Sequence, residues 1–166
     1  EAFDPRGIGP VAGSDTNLDR MFRLVRQWAV EPQGWLVLMG ERGCGKTHLA
    51  AALAHFRRGQ GDEVLFVIVP ELLDHMRSTF GPQSNVTYDR VFERTKNVHV
   101  LVLDDFGENS AAPWAAEKLY QLINHRYNAK LPTVITSFLT LEEIEEKVDK
   151  RIASRIADAG FSRLLN

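Results

Sequence analysis

The chain has little cysteine, little excess charge and no long apolar run. Cys44 is the single cysteine in 166 residues, which rules out an internal disulfide and fits a reducing, cytoplasmic compartment. Twenty Lys and Arg stand against 22 Asp and Glu, a net charge of −2, so any contact with nucleic acid has to be a local patch. No apolar stretch nears the roughly 18 residues of a membrane span, and no charged-then-apolar leader comes first, so no membrane is expected as a partner. An initial methionine is missing as well. The chain opens on Glu1, and we expect a piece of a longer protein.

What is present is ordinary for a folded domain: 44% hydrophobic and 25% charged residues, with no repeat, low-complexity tract or Pro/Gly-rich linker. Residues 1–166 are therefore expected to form one domain. Leu18, Met21, Phe22, Val25, Trp28 and Ala29 recur at helical spacing and predict a helix over 15–29. Trp35 to Met39 is a short continuous apolar run, as in a strand covered on both faces. Residues 46–58 predict a helix stopped by Gly59 and Gly61.

The strand pattern returns at Val64–Val69, Val98–Leu103 and Thr133–Thr136. Helical patterns lie between: Leu72, Leu73 and Met76; Tyr88, Val91 and Phe92; Leu119, Leu122 and Ile123. Pro113 suits the first turn of the last of these helices. Thr140 and Glu143 form a capping-box pair that starts another, with Leu141, Ile144 and Val148 inward. Strands alternating with helices predict an α/β fold with a parallel sheet covered on both faces.

Two motifs carry chemistry. Gly40, Gly45, Lys46 and Thr47 satisfy G-x-x-x-x-G-K-[ST], between an apolar strand and a predicted helix. Glycines let backbone N–H groups turn toward phosphate oxygens, and the helix start adds its positive dipole end. The expected nucleotide contacts are Gly40, Glu41, Arg42, Gly43, Cys44, Gly45, Lys46, Thr47 and His48, with Lys46 on the phosphates and Thr47 on Mg²⁺. Cys44 itself is expected to be a tolerated small side chain rather than a reactive thiol. The second motif is VHVLVLDDFGE, an apolar strand ending in Asp104 and Asp105. Open parallel sheets bind ligands at this end, so Asp104 is expected on the metal and Asp105 on the attacking water.

With both motifs in place the chain resembles the AAA+ ATPases, and among them the DnaC/DnaI-type loaders of bacterial replicative helicases and the related IstB-type transposition helpers. GWLVLMGERGCGKTHLAAALA, VLVLDDFGE, WAAEKLYQLINHRYNAKLPTVITS and RIASRI carry the resemblance, in the family's order. It implies a P-loop NTPase three-layer sandwich, ATP/ADP with Mg²⁺ and ATP hydrolysis. It also implies a homo-oligomer in the ATP state and a hexameric replicative helicase as partner. RIASRI corresponds to the segment that supplies an arginine finger to a neighbouring subunit. Arg155 is favoured by motif position, and Arg151 shares its face.

One position departs from the family. The γ-phosphate-sensing asparagine is replaced by Phe138, leaving Thr136, Ser137 or nothing for that role and putting hydrolysis rate in question. The family's lid should follow the last strand, which FSRLL would begin, and is expected to be missing. Phe3, Ile8 and Val11 are candidates for the base pocket. Arg20, Arg23, Arg26, Arg57 and Arg58 either touch single-stranded DNA or form solvated faces. A small-molecule phosphotransferase would need an arginine-rich lid and an acceptor pocket, which residues 70–97 lack. A degenerate scaffold would have no use for intact Lys46, Thr47, Asp104 and Asp105.

Overall fold

The computed structural model describes residues 17–78, 85–108 and 112–165, with 17–19 and 85–89 described by backbone alone. In chain order the elements are α1 (Asn17–Val30), β1 (Trp35–Met39), α2 (Lys46–Gly59), β2 (Val64–Ile68), α3 (Val69–Ser78) and α4 (Asn85–Asn97). They continue with β3 (Val100–Asp104), α5 (Pro113–Asn128), β4 (Thr133–Ser137), α6 (Leu141–Lys147), α7 (Lys150–Ile156) and β5 (Ser162–Leu165). The five strands make one parallel sheet in the order β2-β3-β4-β1-β5.

Every residue of the three inner strands is buried, which explains the unbroken apolar run of β1 and the first four residues of β3; β4 buries Thr133, Thr136 and Ser137 as well. The pleat still sorts them by face. Trp35, Val37 and Met39 join one core with α3, α4, α5, α6 and α7, while Leu36 and Leu38 join a second with α1 and α2. The result is three layers, helix–sheet–helix, as the sequence predicts. Burying one Leu or Ile in either core contributes about 1.5–3 kcal/mol.

Element ends differ by a residue or two from expectation. Val69 starts α3 instead of ending β2, because Pro70 fits a first helical turn and has no N–H for a ladder. Val98 lies just past the end of α4, its N–H still bonded to the Arg94 carbonyl at 2.9 Å, and β3 begins only at Val100. Of the pattern Tyr88, Val91 and Phe92, Phe92 is buried along with Thr95, while Val91 is 39% exposed. The Thr140–Glu143 capping box forms in both directions, at 3.2 and 3.0 Å. Phe3, Ile8, Val11, the first two residues of the predicted 15–29 helix and the side chains of Leu18 and Tyr88 lie outside the described residues.

Arg126 had no motif signal yet is fully buried in α5. Its guanidinium donates to Thr133 Oγ1 at 2.8 Å and to the carbonyls of Lys96 (3.0 Å), Val98 (2.8 Å), His99 (3.2 Å) and Pro132 (2.8 Å). One side chain thus fastens the α4–β3 and α5–β4 turns by pairing carbonyls that turn away from the sheet ladder, Pro132 apart, which also accepts the Leu101 N–H at 3.2 Å. Burial lowers its pKa to about 9, so it remains charged at neutral pH.

Candidate nucleotide site

β1 and β3 end at the same edge of the sheet, and the loop 40–45 turns from β1 into α2 there. Gly43 and Gly45 take φ of 83° and 94°, and a Cβ added to either would meet nothing within 4 Å. Backbone conformation, not crowding, therefore requires glycine at both. Lys46 folds back over the loop, donating from Nζ to the Gly40 and Glu41 carbonyls at 2.7 Å each and lying 3.6 Å from Cys44 Sγ. Cys44 is exposed.

The acidic strand end meets this loop. Thr47 Oγ1 donates to Asp104 Oδ1 at 3.1 Å, and Thr136 Oγ1 donates to the same oxygen at 2.6 Å. Thr136 also accepts the Asp105 N–H at 3.0 Å, which holds Asp105 at a left-handed φ of 55°. Burial raises the Asp105 pKa, Asp104 and Glu108 raise it further, and Arg42 and Lys46 oppose them. Ser137 is buried and fully used, donating to the Phe106 carbonyl at 2.8 Å and accepting the Leu139 N–H at 3.1 Å. Neither sensor candidate has an idle hydroxyl.

Arg42, Gly43, Gly45, Lys46, Thr47 and His48 face Asp105, Glu108 and Phe138 across a cavity of about 370 Å³. The residues fit a bound nucleotide: an open glycine cradle, an ammonium resting on exchangeable carbonyls, and a hydroxyl–carboxylate pair beside them. Another cavity, about 430 Å³ beside Gly34, Lys130 and Phe161, opens at the opposite end of β1 and has no acidic lining residue. The larger of the two spaces holds neither the phosphate loop nor the acidic strand end.

Arg151 and Arg155 do not line the nucleotide cavity of their own chain. The geometry of α7 is nevertheless the expected one: Ile152 and Ile156 are buried and the two arginines share the other face. Arg151 pairs with Asp149 and Glu117 at 2.7 and 2.9 Å and stacks 3.7 Å above Tyr120. Those carboxylates hold its pKa above the usual arginine value. Arg155 is half-buried, bonded through Nε to Asn124 Oδ1 at 2.9 Å and lying 5.2 Å from the Tyr127 ring.

The candidate DNA contacts divide. Arg20, Arg23 and Arg26 are exposed along α1. Arg57 is neither solvated nor available: it is bonded to Asp62 and to the Ala29 and Val30 carbonyls, at 3.0 and 3.2 Å, clamping α2 to the end of α1. Arg58 donates to the Val64 carbonyl at 3.0 Å. No described helix is long and apolar enough to cross a membrane.

The sheet order and the loop–acid pairing are those of the three-layer AAA+ P-loop fold. Within it, the chain belongs to the family of IstB-like ATP binding proteins, whose model matches residues 19–165. The replicative helicase loader DnaC of Buchnera aphidicola (subsp. Baizongia pistaciae) is 28% identical over 120 residues, covering 72% of this chain and 49% of the relative. The ATP-binding protein of insertion sequence IS1162 from Pseudomonas fluorescens is 35% identical over 104 residues, 63% of this chain and 43% of the relative. The chain thus spans about half the length of the curated relatives it matches.

Among solved structures, a DnaC helicase loader superposes with a TM-score of 0.78 at 23% identity, covering 92% of this chain and 90% of that one. A DnaI structure gives 0.75 at 26% identity, covering 92% and 87%.

Proposed function

We propose that this chain is the ATP-hydrolysing module of a protein that loads the replicative DNA helicase. The observation that carries the reading is the approach of Thr47 to Asp104, 3.1 Å apart beside the phosphate-loop cavity. Binding exchanges the two carbonyl partners of Lys46 for phosphate oxygens, at little cost because those carbonyls lie on an exposed loop. Thr47 and Asp104 would hold Mg²⁺, which when bound supplies positive charge against that of the phosphates. Asp105 orients the attacking water and takes its proton; Thr136 sets the position of both acids and is not itself the phosphate sensor.

Arg155 of one copy, on a helix anchored by Ile152 and Ile156, serves the cavity of the next copy in an ATP-dependent oligomer. The hexameric replicative helicase is the partner, with single-stranded DNA as a second ligand along Arg20, Arg23 and Arg26. A second reading, helper of a transposase, is favoured by the 35% identity to the insertion-sequence protein and uses the same site.

The test is capture from native extract by the full-length protein, with a slowly hydrolysed ATP analogue and with the Lys46→Ala variant alongside. Nucleotide-dependent recovery of the hexameric helicase, lost with Lys46→Ala, supports loading; recovery of a transposase instead establishes the second reading. Unchanged nucleotide affinity of Lys46→Ala in a titration would remove the phosphate-loop assignment itself.

A further inference from the structure

Arg42 puts a cation on the cavity wall. Arg42, whose side chain is 70% exposed, donates from Nη2 to Glu108 Oε1 at 2.8 Å, and its guanidinium carbon lies 4.6 Å from the Phe138 ring centroid. These residues come from three places: the phosphate loop, the turn after β3 and the residue following β4. All three line the cavity. Phe138 can offer a phosphate no hydrogen bond, and the Thr136 and Ser137 hydroxyls are engaged within the protein.

We propose that Arg42 is the residue by which this chain distinguishes a nucleoside triphosphate from a diphosphate. Glu108 and Phe138 hold its guanidinium at the cavity until a terminal phosphate replaces the carboxylate as its partner. The inference rests on the nucleotide reading of the cavity and adds the discriminating group.

The energetics favour an exchange of partners. An exposed arginine–carboxylate pair is weak, whereas a guanidinium meets a phosphate through paired, charge-assisted hydrogen bonds. Phe138 makes the exchange orderly. A ring attracts the cation through its face and leaves the N–H edge open, so the guanidinium stays oriented while its partner changes. A diphosphate has no γ-phosphate to offer, and Arg42 then stays with Glu108. The aromatic side chain that removes one sensor thus becomes the platform for another.

The experiment is calorimetric titration of the unaltered chain, Arg42→Gln and Glu108→Gln with ADP and with adenylyl imidodiphosphate. Arg42→Gln is expected to weaken the triphosphate analogue by about 10-fold, the size of one charge-assisted interaction, and ADP by less than about 2-fold. Glu108→Gln removes the competitor and is expected to tighten the analogue severalfold with ADP unchanged. Phe138→Leu, which keeps an apolar wall without the ring, should fall between the unaltered chain and Arg42→Gln. Equal weakening of both nucleotides in Arg42→Gln, or none, overturns the assignment of Arg42 and leaves the nucleotide site standing. Failure of the unaltered chain to bind either nucleotide overturns both.

Discussion

Thr136 Oγ1 sits 2.6 Å from Asp104 Oδ1 while accepting the Asp105 N–H, so one hydroxyl of β4 sets the position of both acids at the end of β3. The strand pairing that brings β4 against β3 therefore also brings the two acids to one fixed position at the end of the sheet. Thr136→Val preserves shape and removes the hydroxyl. Nucleotide affinity should stay within about 2-fold, because Thr47 still holds Asp104, while kcat falls about 10-fold or more as Asp105 loses its anchor. Steady-state turnover beside equilibrium binding checks this; equal losses in both would make Thr136 a binding residue.

Asp105 gives a pH-dependent expectation. Its native pKa is raised, first by burial and then by Asp104 and Glu108. The folded chain therefore holds this proton more tightly than the unfolded chain does, and stability falls as pH rises from about 4 through the raised native value. Asp105→Asn removes the charge, so its melting temperature should exceed that of the unaltered chain at neutral pH. The gap should close as pH drops below about 4, where aspartate is protonated in both states. Asparagine also suits the left-handed φ of 55°, but that gain is independent of pH, so a constant gap would assign the effect to backbone alone. The same variant should bind ATP and not turn it over.

Much of this fold was legible because the covering helices leave their mark on the strands. Runs such as Trp35–Met39 are apolar throughout because both sheet faces are covered, and the Gly-Lys-Thr spacing has meaning only at a strand–helix junction. The strand order was not legible: pairing of β1 with β4, 98 residues apart from Trp35 to Thr133, leaves no local trace. Arg126 was missed for a related reason. Its partners are mostly backbone carbonyls, those of Thr95, Lys96, Val98, His99 and Pro132, and carbonyls have no sequence signature. The arginines at 57 and 58 resembled a surface pair because basic residues usually face solvent, whereas a clamp onto Asp62 and the end of α1 requires tertiary contact.

Arg155 is expected to act between copies. Arg155→Ala should leave nucleotide binding by the monomer within about 2-fold and abolish any rise of specific ATPase activity with protein concentration. The Asn124 contact it loses is partly exposed, so the stability cost should be about 1 kcal/mol or less. Specific activity measured over a wide concentration range decides the matter: a flat profile in the unaltered chain removes the trans-acting role.

Arg126→Lys should be the costliest conservative substitution in the chain. An ammonium brings three donors to a site where the guanidinium spans Thr133 and five carbonyls on two turns. At least two acceptors lose their partner in a buried space, at about 1–3 kcal/mol each, so unfolding in urea should show a loss of about 3 kcal/mol. Arg126→Met removes the buried charge altogether and takes the guanidinium from every acceptor, of which Pro132 keeps the Leu101 N–H at 3.2 Å, so it should be no better than lysine although it is apolar. Recovery of stability by methionine would mean that burying the charge had been the dominant cost at this position. The carbonyl clasp would then count for less than the desolvation that lowers the arginine pKa.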